Sequence, residues 1–185
     1  MGTRIEYLTN KGAFEEAHGS DTRLNVSSRS DQRSFYVSRD DGQYYSLQIE
    51  DDAADAGDIV GYLRNDSNSL ALFIRDIHFS AEFACTVKLA FGDSTAATGG
   101  SVLTPANLNR TKSSNAADVT ARGNGAISGV SATTQFAAFR IEAGSTFEYN
   151  QTIILGQNDN ITIEYDTGST GDLEVDVYFY LDTLS

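Results

Sequence analysis

The alternation of apolar and polar positions is most regular in the last third of the chain, residues 151–181, which read QTIILGQNDNITIEYDTGSTGDLEVDVYFYL. Ile161, Ile163 and Tyr165 alternate with Thr162, Glu164 and Asp166. Leu173, Val175, Val177, Phe179 and Leu181 alternate with Glu174, Asp176, Tyr178 and Tyr180. Period two is the signature of a strand with one buried and one wet face. Turn-forming residues at 156–159 (GQND) and 166–171 (DTGSTG) separate the runs. Three antiparallel strands in succession are therefore predicted, with Tyr178 and Tyr180 outward.

The same pattern continues upstream. Residues 34–38 read as a short strand, 39–42 as a turn ending in Gly42, and 43–50 as a returning strand with Tyr45, Leu47 and Ile49 on one face, which together predict a hairpin. An acidic loop at 51–57 leads to strands at 58–64 and 70–79, separated by the turn cluster NDSNS; the second is apolar enough to be central. Residues 85–91 alternate again, with Cys85, Val87, Leu89 and Phe91 in phase. A long insertion follows at 92–131, rich in Gly, Ser, Thr, Asn and Ala and holding the one proline, Pro105. A segment of that length inside a compact domain is usually functional or packs on a neighbour. Capping residues and alanines at 114–122 predict a short helix within it. Strands resume at 135–142 and 146–150 around the turn at 143–145.

Turn spacing and strand number predict an all-β fold, a jelly-roll β-sandwich of about eight strands. An immunoglobulin-like sandwich is the alternative, but its Cys, Trp, Cys core has no counterpart in a chain with one Cys and no Trp. Residues 1–30 show scattered apolar positions without sustained period and read as an N-terminal arm, leaving 31–185 as a single sandwich domain. Arg23, Arg29, Arg33 and Arg39 recur at short intervals among Ser, Asp and Asn. An arm of this kind is either a solvated chain end or a tether lying on a neighbouring subunit.

Composition narrows the function classes. The 185 residues can close a core without disulfides. No apolar run approaches the about 18 residues of a membrane span, and the first residues lack the apolar stretch of a signal peptide, so no membrane partner is expected. Net charge is −13; residues 1–40 hold six basic and six acidic side chains, so the excess falls on the body. An acidic body repels phosphate backbones, which argues against nucleic acid as a partner.

Candidate chemistry is sparse, and no catalytic, cofactor-binding or metal-binding residue is assigned. Cys85 is phased with the core and has no nucleophile signature around it. His18 and His78 do not form a zinc spacing. Asp51, Asp52, Asp55 and Asp58 do not match an EF-hand loop and read as a solvated acidic loop. The glycines at 99–100 and 123–125 have no phosphate-loop context. Glycosylation tripeptides begin at Asn25, Asn65, Asn109, Asn150 and Asn160, in a chain rich in Asn and Thr. Outward Tyr178 and Tyr180 are candidate surface-binding aromatics, with plain cross-strand packing as the other reading.

The stretches 35–47 (FYVSRDDGQYYSL), 57–65 (GDIVGYLRN), 103–109 (LTPANLN), 114–117 (SNAA) and 154–168 (ILGQNDNITIEYDTG) resemble small structural proteins of tailed bacteriophages, jelly-roll virion components that decorate or cement the capsid. None of these is a catalytic motif; they are a pattern of strands and turns. The resemblance implies a non-enzymatic protein of the phage head exterior, a homotrimer seated on the major capsid protein and made in the host cytoplasm. Head fibres and adsorption proteins are the alternative the resemblance allows. On this reading the arm and the insertion make the intersubunit contacts, with Arg23, Arg29, Arg33, Arg39, Arg110 and Lys112 as contact residues.

Overall fold

In the computed structural model, the structure describes residues 37–183 together with two short N-terminal strands, β1 (Glu6–Leu8) and β2 (Phe14–Glu16). The chain divides into a small unit, Met1–Gln32, and a larger one, Arg33–Ser185. Within the small unit β1 and β2 pair antiparallel, Glu6 opposite Glu16 and Leu8 opposite Phe14. The rest of the predicted arm lies outside the described residues.

The larger unit is all-β: two six-stranded antiparallel sheets with a core between them. Its strands are β3 (Tyr44–Ala54), β4 (Asp58–Asn65), β5 (Ala71–Ala81), β6 (Cys85–Gly92), β7 (Thr98–Leu103), β8 (Ala106–Asn107), β9 (Val119–Ser128), β10 (Ala132–Ile141), β11 (Thr146–Tyr149), β12 (Ile153–Leu155), β13 (Asn160–Gly168) and β14 (Gly171–Asp182). One sheet runs β10-β6-β13-β4-β9-β7; the other runs β11-β5-β14-β3-β8, with β12 also paired to β5. These are called below the β13 sheet and the β14 sheet.

Period-two alternation places the core as expected. Tyr45, Leu47 and Ile49 of β3, Val175, Val177 and Phe179 of β14, and Ile161 and Ile163 of β13 are all essentially inaccessible, and Cys85 is buried with them. Each such side chain contributes on the order of 1.5–3 kcal/mol through burial. The turn at 156–159 forms as the sequence suggests: Gly156 N–H donates to the Asp159 carboxylate at 3.0 Å, and Asn158 takes a φ of 65°.

Pairing between strands departs from the expected hairpins. The three strands of residues 151–181 do not lie side by side: β12 and β14 belong to one sheet and β13 to the other. The chain crosses the sandwich at each turn because both sheets need a buried face, and alternation along a strand says nothing about which sheet receives it. Among the described residues β3 pairs with β14 and β8. Residues Val37–Asp41 form a single π-type turn, and 34–36 lie outside the described residues. Gly42 does close that turn, at a φ of 66°.

The insertion is structured. β7 and β9 extend the β13 sheet beyond β4, β8 adds to β3, and a one-turn 3-10 segment occupies Arg110–Lys112. The helix expected at 114–122 is absent: Val119 to Arg122 are strand, paired with β4 on one side. Ladder pairing with an existing sheet overrides a weak local helix preference. Part of the insertion also folds over the outer face of the β13 sheet. There Ala97, Ile127 and Val130 bury Tyr62 completely, with Ile59 at the margin, and the Tyr62 hydroxyl donates to Thr95 O at 3.4 Å. Among the described residues no helix is long and apolar enough to cross a membrane.

Candidate functional site

Of the six arginines and lysines expected at contacts, Arg23, Arg29 and Arg33 lie outside the described residues, as does the side chain of Arg39. Arg110 and Lys112 stand on the 3-10 turn, Arg110 exposed and Lys112 partly covered. Local hydrogen bonding explains this turn. Asn109 caps it, its side chain accepting from Thr111 N at 3.0 Å and donating to Ser38 O at 2.5 Å. Asn107 donates to Gly42 O at 2.7 Å, to Asn115 O at 3.0 Å and to Lys112 O at 3.2 Å, and Asn115 donates to Asp41 O at 3.0 Å. Three asparagines thus clamp the turn bearing Arg110 and Lys112 onto the turn containing Arg39, beside the β8 edge of the β14 sheet. Asn side chains carry both donors and an acceptor, which suits them to tie two irregular backbones together.

Tyr178 and Tyr180 lie on the outer face of β14, as their phase requires, but that face is not simply wet. Tyr180 is only 6% exposed. It stacks on Phe73 with centroids 4.9 Å apart and planes 3° from parallel, and meets the edge of Tyr44 at 6.5 Å. Register puts Phe73, Tyr180 and Tyr44 in one row across β5, β14 and β3, with Ile154 of β12 next in line and 49% exposed. Tyr178 is half-buried against His78, at 5.2 Å. The reading of Tyr180 as a solvent-facing side chain is therefore corrected: cross-strand stacking removes it from water. Phe73 and Ile154 belong to the same row and were not singled out from sequence; pairing register, which single-strand alternation does not encode, is what aligns them.

A second set of rings closes one side of the sandwich, where β10 and β11 bound the two sheets. Phe139 stacks on Phe147 at 4.2 Å, Phe79 meets Phe139 edge-on at 4.9 Å, and Phe136 lies 4.6 Å from Phe91 and 6.4 Å from Tyr149. Phe79 is buried, while Phe136, Phe139, Phe147 and Tyr149 are half-buried, so the cluster runs from the core to the surface.

The acidic loop expected at 51–57 is shorter than that: β3 runs on through Asp51 and Asp52 to Ala54, because the strand continues to pair with β14 there, and Asp51, Asp55 and Asp58 accept hydrogen bonds from nearby groups. Asp51, 9% exposed, accepts from Ala53 N at 3.2 Å and Gly125 N at 3.3 Å, and Glu50 N–H donates to Asn124 at 2.9 Å. Asp58 accepts from Asp55 N at 3.3 Å, and Asp55 accepts from the Thr170 hydroxyl. A shallow cleft of about 330 Å³ lies among Glu50, Asp51, Asp52, Asn124 and Gly125. Among the described residues no three His, Cys, Asp or Glu side chains gather as a metal site. Burial pushes the Cys85 thiol up, offset in part by a hydrogen bond to Tyr165, which disfavours the thiolate a nucleophile needs. His78 is on the outer face of the other sheet. Two of the glycosylation asparagines are structural: Asn65 and Asn160 are buried, Asn65 donating to Leu70 O at 2.9 Å and Leu155 O at 3.0 Å, and Asn160 donating to Asp93 O at 2.5 Å.

Set against protein-family models, curated protein sequences and solved structures, the chain matches none.

Proposed function

We propose that this protein is a non-enzymatic structural component of a phage virion, a capsid decoration or cement protein that binds the major capsid lattice as a homo-oligomer, a trimer, on the head exterior. The observation that carries the reading is strand order. With the insertion strands β7, β8 and β9 and the three-residue β12 set aside, the sheets read β11-β5-β14-β3 and β10-β6-β13-β4. Each is a four-stranded antiparallel set whose members interleave in sequence with the other's, which supports the jelly-roll reading, an architecture common in virion proteins and lectins. The resemblance of residues 35–47, 57–65 and 154–168 to phage decoration proteins points the same way. Arg110, exposed on an asparagine-clamped turn, places a cation at the β8 edge of a molecule whose net charge is −13.

One observation favours a second reading, a receptor-binding or carbohydrate-binding sandwich: the partly exposed Phe73 and Tyr44 with exposed Ile154, which flank the covered Tyr180 in one row on the outer face of the β14 sheet. Aromatic faces of this kind stack on sugar rings.

The two are separated by binding. Purified chain is added to phage heads stripped of it and, in parallel, to a glycan array. A decoration protein occupies heads at stoichiometric density and ignores glycans, and removal of residues 1–30 abolishes that occupancy while leaving the sandwich folded. Unchanged occupancy without residues 1–30 would sink the tether, and glycan binding without head binding would sink the decoration reading.

A further inference from the structure

Charge along the chain is partitioned in a way that the topology turns into geometry. Residues 94–141 hold four basic side chains, Arg110, Lys112, Arg122 and Arg140, and one acid, Asp118; the remainder holds nine basic and twenty-five acidic. This acid-poor segment supplies both ends of the β13 sheet, β10 at one edge and β9 with β7 at the other.

Among the described residues neither end is closed: β10 pairs only with β6, and β7 only with β9. Ala132 to Gln135 and Ala138 of β10 are exposed, as are Thr98 to Val102 of β7, with Val102 at 72%. No carboxylate lies on either strand, and β7 carries no charge at all. Exposed edges are normally blunted by charge, proline or a bulge. Here the bulge at Gly99 to Ser101 restricts β7 but leaves Ser101 to Leu103 in regular register, and β10 is flanked by the half-buried rings Phe136, Phe139, Phe147 and Tyr149.

We infer that copies of this chain associate head to tail through these two flanks, the β10 side of one copy against the β7–β9 side of the next. The occupant is a second copy because of charge. Outside residues 94–141 the chain carries sixteen more acidic than basic side chains, so contacts made elsewhere bring carboxylates together, whereas β7, β9 and β10 hold no carboxylate and carry one arginine on each flank, Arg122 on β9 and Arg140 on β10. Interface centres are depleted in charged residues and enriched in aromatic ones, as the β10 side is. A two-fold contact of β10 with itself would leave the acid-poor β7–β9 flank without a role; a heterologous contact uses both and closes into a ring when the rotation between copies permits. The inference rests on the self-association in the reading above, and not on the capsid.

The test measures mass in solution for the full chain, by light scattering and native mass spectrometry over a concentration series. Wild type is expected to be oligomeric. Ala138→Glu and Val102→Glu each put a carboxylate on one flank and should each raise the dissociation constant at least tenfold, toward monomer, with circular dichroism and thermal midpoint unchanged. Mixed in equal amounts, the two variants should recover a one-to-one pair, because each retains the flank the other has lost. A monomeric wild type, a Val102→Glu variant that stays fully assembled, or a mixture that stays monomeric overturns the contact. If either variant fails to fold, Gln135→Glu and Ser101→Glu probe the same flanks. A monomer that still occupies heads overturns this contact and leaves the decoration reading standing; an oligomer that ignores heads does the reverse.

Discussion

Ile49 of β3 fills the space that a side chain at Gly123 of β9 would need: a Cβ at Gly123 falls 2.7 Å from Ile49 Cγ2 and 2.8 Å from Leu103 Cδ1. Gly61 of β4 pairs with Gly123 and meets the same isoleucine, its Cβ position 2.8 Å from Ile49 Cδ1. The insertion thus reaches the centre of the sandwich through a glycine pair that lets the two sheets approach. Gly123→Ala is expected to cost about 1–3 kcal/mol through overpacking. Ile49→Ala should recover part of that cost in the double variant, a coupling that urea denaturation of the four proteins in the cycle measures.

Asn107 bonds three carbonyls from two turns. Asn107→Ala should destabilise the chain by about 1–3 kcal/mol, since those acceptors lose their donor together. Hydrogen exchange is expected to rise selectively at residues 37–42 and 110–115 and not in β13 or β14. Uniform exchange across the domain would contradict a local clamp.

Tyr180 and Tyr178 sit two positions apart on one face of β14 with different surroundings. Tyr180→Ala removes the stack on Phe73 and the edge contact with Tyr44, and should cost about 3 kcal/mol or more. Tyr178→Ala, with half-buried packing on His78, should cost clearly less. Denaturant midpoints compare the two, and equal costs would remove the distinction drawn between them.

Alkaline pH should unfold the protein. Burial pushes the phenols of Tyr44, Tyr45, Tyr62 and Tyr165 up, and a hydrogen bond to Asp166 raises Lys88. In each case the folded state holds the proton more tightly than the unfolded one. Their contribution is complete below the ordinary values, about 10 for both residue types, and is lost as pH rises through the raised ones. The buried Cys85 thiol follows the same sign from the ordinary thiol value of about 8.5, so the thermal midpoint is expected to be flat from neutral pH to about 8, to decline gently beyond it and to fall steeply above about 10. Tyr45 sharpens the test because its buried hydroxyl has no hydrogen-bond partner among the described residues. Tyr45→Phe should be neutral or stabilising by about 1 kcal/mol at neutral pH and should make the alkaline fall shallower.

Much of the fold was legible before any coordinates. The strands expected at 43–50, 58–64, 70–79, 85–91, 161–166 and 173–181 form within a few residues of those bounds, as Tyr44–Ala54, Asp58–Asn65, Ala71–Ala81, Cys85–Gly92, Asn160–Gly168 and Gly171–Asp182, because burial of one sheet face imposes period-two alternation residue by residue. Gly42 and the 156–159 turn were legible for a similar reason: their backbone conformations admit few residue types. The insertion was not. Residues 98–103 and 119–128 carry little alternation, since β7 is exposed along most of its length and β9 mixes glycines with one inward alanine, so only the pairing of β9 with β4 and of β7 with β9 identifies them as strands. Arg110 and Lys112 fall on one 3-10 turn, and nothing local in the sequence tied that turn to residues 37–42 across 65 positions.

The sequence by itself determined the all-β class, the inward faces of the main strands, the burial of Cys85 and the acidic surface, because each follows from side-chain chemistry within a few residues. The tertiary structure alone decided which sheet each strand joins, that Phe73, Tyr180 and Tyr44 form one row, that Gly61 and Gly123 share Ile49, and that the acid-poor segment stands at both edges of one sheet. Those are relations between residues distant along the chain, set by pairing and packing, and a pattern of period two carries no information about its partner.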